Sequence, residues 1–395
     1  MKYAQRMARL GTETAFEVLA KAKKLEAEGK SIVHLEIGQP DFPTPAHVVE
    51  AAVKALHDGH TGYTPAPGLI EIREAVAEHV AVRLGSPVHP DEVVVTPGAK
   101  PIMFYMFLAF VEEGDEVVYP NPGFPIYESM LDFIGAKRVP LPLTAANGFR
   151  VDLALLERLV TEKTRLLILN TPGNPTGGIV PPEDLPKIAE ICRRFPNLVV
   201  LSDEIYSRIL FTGRHASLAA QPGMREKTVI LDGFSKTYAM TGWRLGYGVM
   251  PREMASRFSQ LMVNSNSCTA NFVQRAGVAA LRGPQDAVDT MVAEFRRRRD
   301  LIVDGLNAIP GFAVKKPDGA FYVFPSTSGT GEKSTDLANR LLYEAGVACL
   351  SGTCFGAMGE GYLRFSFANS PENLREGLVR VKRAVESRKL TAVRP

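Results

Sequence analysis

The stretch Leu198-Val-Val-Leu-Ser-Asp-Glu-Ile-Tyr206 joins an unbroken apolar run to two acids and a tyrosine. The run does not alternate with polar residues, so it fits a strand covered on both faces, as in a parallel sheet. Val93-Val-Val95, Glu116-Val-Val-Tyr119, Leu166-Leu-Ile-Leu169, Thr228-Val-Ile-Leu231 and Gly246-Tyr-Gly-Val249 share this character. Helix-like segments lie between most of them, at Lys100 to Val111, Pro125 to Ile134 and Pro182 to Phe195. The last is preceded by Pro181 and opens with Pro-Glu-Asp, a sequence that suits a helix N-terminus and its dipole. Alternation of strand and helix predicts an α/β core with a mostly parallel sheet.

In such sheets ligands bind beyond the carboxyl ends of the strands. Five runs end in polar or glycine-rich clusters: Thr96 to Lys100, Asn121 to Phe124, Asn170 to Gly177, Ser202 to Tyr206 and Asp232 to Lys236. Their convergence marks the expected site. After about residue 280 the pattern changes to an α+β unit: a long charged helix near 284–308, short apolar runs at Phe312-Ala-Val314, Ala320 to Phe324, Val347 to Leu350 and Tyr362 to Phe367, and helices near 335–345 and from Pro371. The expected division is a large cofactor-binding α/β domain at 45–282 and a smaller α+β domain from 1–44 with 283–395.

Bulk composition narrows the function. The net charge of +3 is too balanced to suggest nucleic acid. The one basic cluster, Arg296 to Arg299, sits between Glu294 and Asp300 and reads as a helix face. Cys192, Cys268, Cys349 and Cys354 form no Cys-x-x-Cys pair and no metal spacing, so buried reduced thiols, a cytoplasmic location and no metal are expected. No window holds eighteen uncharged apolar residues, and the start has no apolar signal core, so no membrane partner or export is expected. Gly329 to Ser334 only partly resembles a phosphate-binding P-loop, because Glu332 separates Gly331 from Lys333.

The chemistry follows from the clusters. Lys236 lies among Ser235, Thr237, Tyr238 and Gly242, where a lysine can lose its proton and form an imine with an aldehyde. Asp203 follows a buried strand, where desolvation raises a carboxyl pKa unless a cation such as a protonated pyridine partners it. Tyr206 and Asn174 can bond a phenolic oxygen. Gly98, Ala99 and Lys100 open a helix and offer backbone N–H groups to a phosphate, with Ser235 and Arg244 adding donors. Phe124 can stack on a flat ring. An aldehyde, a pyridine, a phenol and a phosphate together describe pyridoxal 5′-phosphate. The plain alternatives are a helix lysine at 236, a helix cap at Asp203, packing roles for Tyr63 and Phe124, and an ordinary ion pair for Arg364.

The chain resembles the class I aminotransferases, fold type I pyridoxal phosphate enzymes of the aspartate aminotransferase kind, over nearly its whole length. The resemblance rests on Gly38-Gln-Pro-Asp-Phe, Gly62-Tyr-Thr-Pro-Ala-Pro-Gly68, Asn174-Pro-Thr-Gly, Asp203-Glu-Ile-Tyr, Ser235-Lys-Thr, Met240-Thr-Gly-Trp-Arg-Leu-Gly246, Gly319-Ala-Phe-Tyr and Tyr362-Leu-Arg-Phe-Ser. It implies a seven-stranded sheet in the large domain. It also implies Lys236 as the imine-forming lysine and proton carrier, with Asp203 on the pyridine nitrogen and Tyr206 and Asn174 on the ring oxygen. Gly98, Ala99, Lys100, Ser235 and Arg244 would hold the phosphate. Arg364, helped by Asn174 and the Gly38 backbone, would hold the substrate carboxylate. Tyr63 would reach the phosphate of a second subunit, so a homodimer with shared sites is expected. Phe124 stands where the family often has Trp or Tyr, so its polar edge is lost. The implied reaction moves an amino group from an L-amino acid to a 2-oxo acid, with 2-oxoglutarate the expected acceptor, by a ping-pong route.

Other enzymes use this scaffold, such as a C–S β-lyase or a decarboxylase. A DNA-binding regulator with such a domain is disfavoured, because only the residues before Gly38 precede the core motifs. A dinucleotide-binding protein is disfavoured because no Gly-x-Gly-x-x-Gly follows an early strand. The preferred amino acid, aspartate, alanine, aromatic or other, stays open at this point.

Overall fold

Seven strands build the central sheet: β1 (Val93–Thr96), β2 (Glu116–Asn121), β3 (Lys137–Pro142), β4 (Thr164–Asn170), β5 (Val199–Asp203), β6 (Thr228–Gly233) and β7 (Gly246–Val249). The structure is a computed structural model that describes residues 1–392. The strand order is β1-β7-β6-β5-β4-β2-β3. β7 runs antiparallel to both its neighbours, and every other pair is parallel. The first six strands therefore point the same way, and their carboxyl ends share one edge.

Both sheet faces are covered, which explains the unbroken apolar runs. Val117, Leu166, Ile168 and Leu201 pack to one side, with Phe107, Tyr127 and Phe258. Val118, Leu167, Leu169 and Val200 pack to the other, with Ile188 and Leu198. Neighbouring residues of one strand thus serve opposite faces. Each such side chain, fully buried, contributes about 1.5–3 kcal/mol. β3 carries no such run. It is an edge strand with exposed Lys137 and Arg138 and two prolines, devices that discourage pairing with another chain.

The α+β unit has its own core of Phe295, Ile302, Phe321, Leu341, Phe365 and Leu374, which Val33 and Leu35 join. Tyr322–Val323, Leu363–Ser366 and Leu350–Ser351 form a three-stranded antiparallel sheet. Val33–His34 pairs parallel to Val347–Ala348, which ties the N-terminal part to this unit. The residues before it also touch the large sheet's helices. Gly11 N–H donates to Ser129 Oγ at 3.0 Å, and Arg9 donates to Phe133 O at 3.2 Å.

Half of the basic cluster on helix Asp286–Asn307 is absorbed within the chain, while Arg296 and Arg297 stay exposed. Buried Arg298 bonds both Asp41 carboxylate oxygens at 2.7 and 2.8 Å and lies 4.9 Å from the Phe42 ring. Arg299 lies 4.8 Å from the Phe211 ring. Among the described residues, no helix is long and apolar enough to cross a membrane, and no group of three or more His, Cys, Asp or Glu could hold a metal ion.

Candidate active site

The carboxyl ends of β1, β2, β4, β5 and β6 open onto a cavity of about 470 Å³, closed from the far side by Arg364 and Tyr322 of the α+β unit. Each strand delivers a different chemical group.

β1 delivers an anion cradle. Gly98 has φ 83°, a left-handed turn, and Thr96 Oγ1 donates to its carbonyl at 2.7 Å. Helix Lys100–Phe110 starts directly after; Pro101 has no N–H and Ile102 N–H donates back to Ala99 O at 3.1 Å, so the Lys100 N–H is left without an intrahelical partner. The N–H groups of Gly98 and Ala99 also meet no acceptor among the described residues. A Cβ on Gly246 of β7 would lie 2.4 Å from Ala99 N, so glycine there lets the turn sit on the sheet. The Arg244 guanidinium lies against Gly98, whose Cβ would meet Nη2 at 2.1 Å. Arg244 has φ 56° and donates to Thr241 O at 2.9 Å, with no carboxylate partner among the described residues. Ser235, buried, faces the same space.

β5 delivers Asp203. Its Oδ2 accepts from Tyr127 Oη at 2.6 Å and its Oδ1 from Ile205 N–H at 3.3 Å. Burial pushes the carboxyl up to about 6, against the two hydrogen bonds, and Asp232 and Glu204 add to the rise. No cation pairs with it among the described residues.

Lys236 stands in the short helix Phe234–Thr237 after β6. Its Nζ donates to Gly38 O at 2.6 Å and lies 6.0 Å from the Phe321 ring. Burial lowers its pKa to about 8, with Arg364, Lys100 and Arg244 adding to the fall and Glu13 opposing it. This is not a solvated helix lysine.

After β4, Asn170 Oδ1 accepts from Asn174 N–H at 2.8 Å and fixes the Asn174 loop. Asn174 Oδ1 accepts from Arg364 Nη1 at 3.1 Å. Arg364 is 3% exposed, yet it pairs with no carboxylate among the described residues, and its Nε lacks an acceptor. Its Nη2 donates to Glu36 O, and its guanidinium lies 4.4 Å from the Tyr322 ring. A buried cation without an anion is costly and invites one. The plain alternative, an ordinary ion pair for Arg364, is not found among the described residues.

Tyr206 lines the cavity and shares a 2.8 Å hydrogen bond with Tyr322. A Cβ on Gly38 would lie 2.0 Å from Tyr322 Oη, so Gly38 is needed for this close approach. Phe124 also lines the cavity and packs edge-on against Tyr127 at 5.7 Å. The Lys100 side chain points elsewhere than at the cradle: its Nζ pairs with Glu13 at 2.6 Å. Tyr63 is 91% exposed and does not line the cavity of its own chain. Tyr127, Tyr322 and Glu13 were not singled out from the sequence. Tyr322 closes the quoted Gly319-Ala-Phe-Tyr motif, which was the one available signal.

The chain belongs to the aminotransferase class I and II family, whose pattern it matches over residues 30–381. It is 39% identical over 390 residues to a probable aspartate/prephenate aminotransferase of Aquifex aeolicus, covering 97% of this chain and 98% of the relative. The aspartate aminotransferase of Thermus thermophilus with maleate superposes with a TM-score of 0.92 at 37% identity, covering 97% of this chain and 100% of that one. An alanine aminotransferase from Pyrococcus furiosus superposes with a TM-score of 0.92 at 30% identity, covering 98% and 100%.

Proposed function

We propose that the chain transfers an amino group from an L-amino acid to a 2-oxo acid, with 2-oxoglutarate as acceptor, using pyridoxal phosphate held by Lys236. One observation carries the reading: Lys236, Asp203, Arg364, Ala99 and Arg244 line one cavity, and none of the four that are charged has an opposite charge paired with it among the described residues. Those features fit the cofactor's ends. A buried acid without a cation suits a protonated pyridine nitrogen. Free N–H groups beside an unpaired arginine suit a phosphate. A partly buried amine with a lowered pKa suits an aldehyde.

When bound, pyridoxal phosphate supplies an aldehyde for amines and a ring that accepts the electrons left when Cα loses its proton. Arg364 grips the substrate carboxylate through its guanidinium fork, with Asn174 holding the fork in place. Fixing that carboxylate orients the Cα–H bond for cleavage rather than the bond to the carboxylate. The Lys236 amine takes the proton from Cα and later returns one, as base and then acid. Asp203 keeps a proton on the ring nitrogen, and Tyr127 holds that carboxylate in place. Tyr206, braced by Tyr322, and Asn174 would bond the ring oxygen, while Ser235, Gly98, Ala99, Lys100 N–H and Arg244 would hold the phosphate. Phe124 would lie against the ring.

The exposure of Tyr63 supports a homodimer in which it completes the partner's cavity. Four free cysteines support a cytoplasmic location. The separate hydrophobic clusters support a division into a large unit at 45–282 and a small unit from 1–44 and 283–395.

The reading is tested by incubating the purified protein and pyridoxal phosphate with a panel of amino acids. Stoichiometric glutamate formation from 2-oxoglutarate is expected. Pyruvate and ammonia released without any 2-oxo acid would point instead to a lyase. The lowered Lys236 pKa gives a second expectation. Only the neutral amine attacks an aldehyde, so capture of added pyridoxal phosphate should quicken with pH and level off above about 8. An ordinary lysine would quicken on past pH 10. The folded pKa lies below the unfolded value. In the window from about 8 up to 10.5 the unfolded chain binds more protons, so stability without cofactor rises with pH there.

A further inference from the structure

The following rests on the reading above and extends it to the substrate side chain. With its carboxylate on Arg364 and its reacting carbon beside Lys236, a substrate must lay its side chain along the remaining wall. Glu13, Phe16 and Ile37 from the N-terminal segment form that wall, facing Lys100 and Phe124. Glu13 also borders the narrow cleft beside Arg364, together with Phe124 and Phe355.

Four cations line the cavity: Lys100, Lys236, Arg244 and Arg364. Three have no carboxylate partner among the described residues. Lys100 has one, Glu13 Oε2 at 2.6 Å, and its ammonium lies 5.4 Å from the Phe124 ring. We propose that Glu13 is a specificity residue: by holding Lys100 in a neutral ion pair, it selects amino acids with apolar, uncharged side chains over dicarboxylic ones.

The two kinds of substrate side chain meet this pair differently. A distal carboxylate must share the Lys100 ammonium with Glu13, which places two like charges together, or displace Glu13 from it. An apolar side chain meets Phe16, Ile37 and Phe124 and disturbs no ion pair. Selection of this kind works by penalising the wrong partner as much as by welcoming the right one. The pair is partly exposed, with side chains 49% and 23% accessible, so solvent screens it and the discrimination is modest: it weakens a distal carboxylate without excluding it, and 2-oxoglutarate, itself a dicarboxylate, still serves as acceptor.

The test uses pyridoxal phosphate-loaded protein and two carboxylic acids, 3-phenylpropionate and succinate, titrated by calorimetry. A donor panel compares kcat/KM for phenylalanine and aspartate. The wild type should bind 3-phenylpropionate about tenfold more tightly than succinate, and Glu13→Gln should erase that ratio by tightening succinate about tenfold. Adding Lys100→Met to Glu13→Gln should remove the gain, since no cation is then left to free. Tighter succinate binding by the wild type, or an unchanged ratio in Glu13→Gln, would overturn the proposal. Failure of both acids to bind, with no turnover of any donor, would contradict the aminotransferase site itself and the proposal with it.

Discussion

Lys236→Ala is expected to lower amino-group transfer by about 10⁴-fold, because one side chain both holds the cofactor and carries the proton. The loss should be chemical rather than structural. Among the described residues Lys236 makes a single hydrogen bond, to Gly38 O, and no carboxylate pairs with its charge. Removing a partly buried cation that no carboxylate pairs with relieves desolvation, so thermal unfolding without cofactor should not fall. Initial rates with 2-oxoglutarate, alongside a melting curve, check both halves. Near-normal turnover in this variant would contradict the assignment.

Asp203→Ala is expected to slow Cα proton removal by about 10²-fold, from the loss of roughly 3 kcal/mol held in a charged hydrogen bond. The effect should fall on the half-reaction with an amino acid alone, read by stopped-flow absorbance. Tyr127→Phe should act in the same direction and less strongly, because it only releases the carboxylate from one 2.6 Å hydrogen bond. Half-reaction rates unchanged in Asp203→Ala would show that the acid has no electronic role.

The sheet and much of the candidate site were legible because a parallel sheet writes itself plainly. Each buried strand is an apolar run, and each run ends where a ligand would sit, so Asp203, Asn174 and Lys236 followed from position. β3 was not legible from periodicity. As an exposed edge it carries Lys137, Arg138, Pro140 and Pro142 rather than an apolar run. Tyr127 was hidden because its side chain looks like any helix core residue, and only the fold brings it to Asp203 across 76 positions. Glu13 was hidden for a related reason. It precedes an amphipathic helix, and its pairing with Lys100 joins residues 87 apart. Arg364 was legible only through the family resemblance, since an arginine in a short apolar run has no local signature. What the fold adds is that Arg364 pairs with no carboxylate among the described residues.

The most direct test asks which atom holds the cofactor. Purified protein is loaded with pyridoxal phosphate, reduced with borohydride, digested and mapped by mass spectrometry. The account predicts the phosphopyridoxyl group on Lys236 alone, and none in protein given excess amino acid before reduction. A label on any other lysine, or none at all, would contradict it.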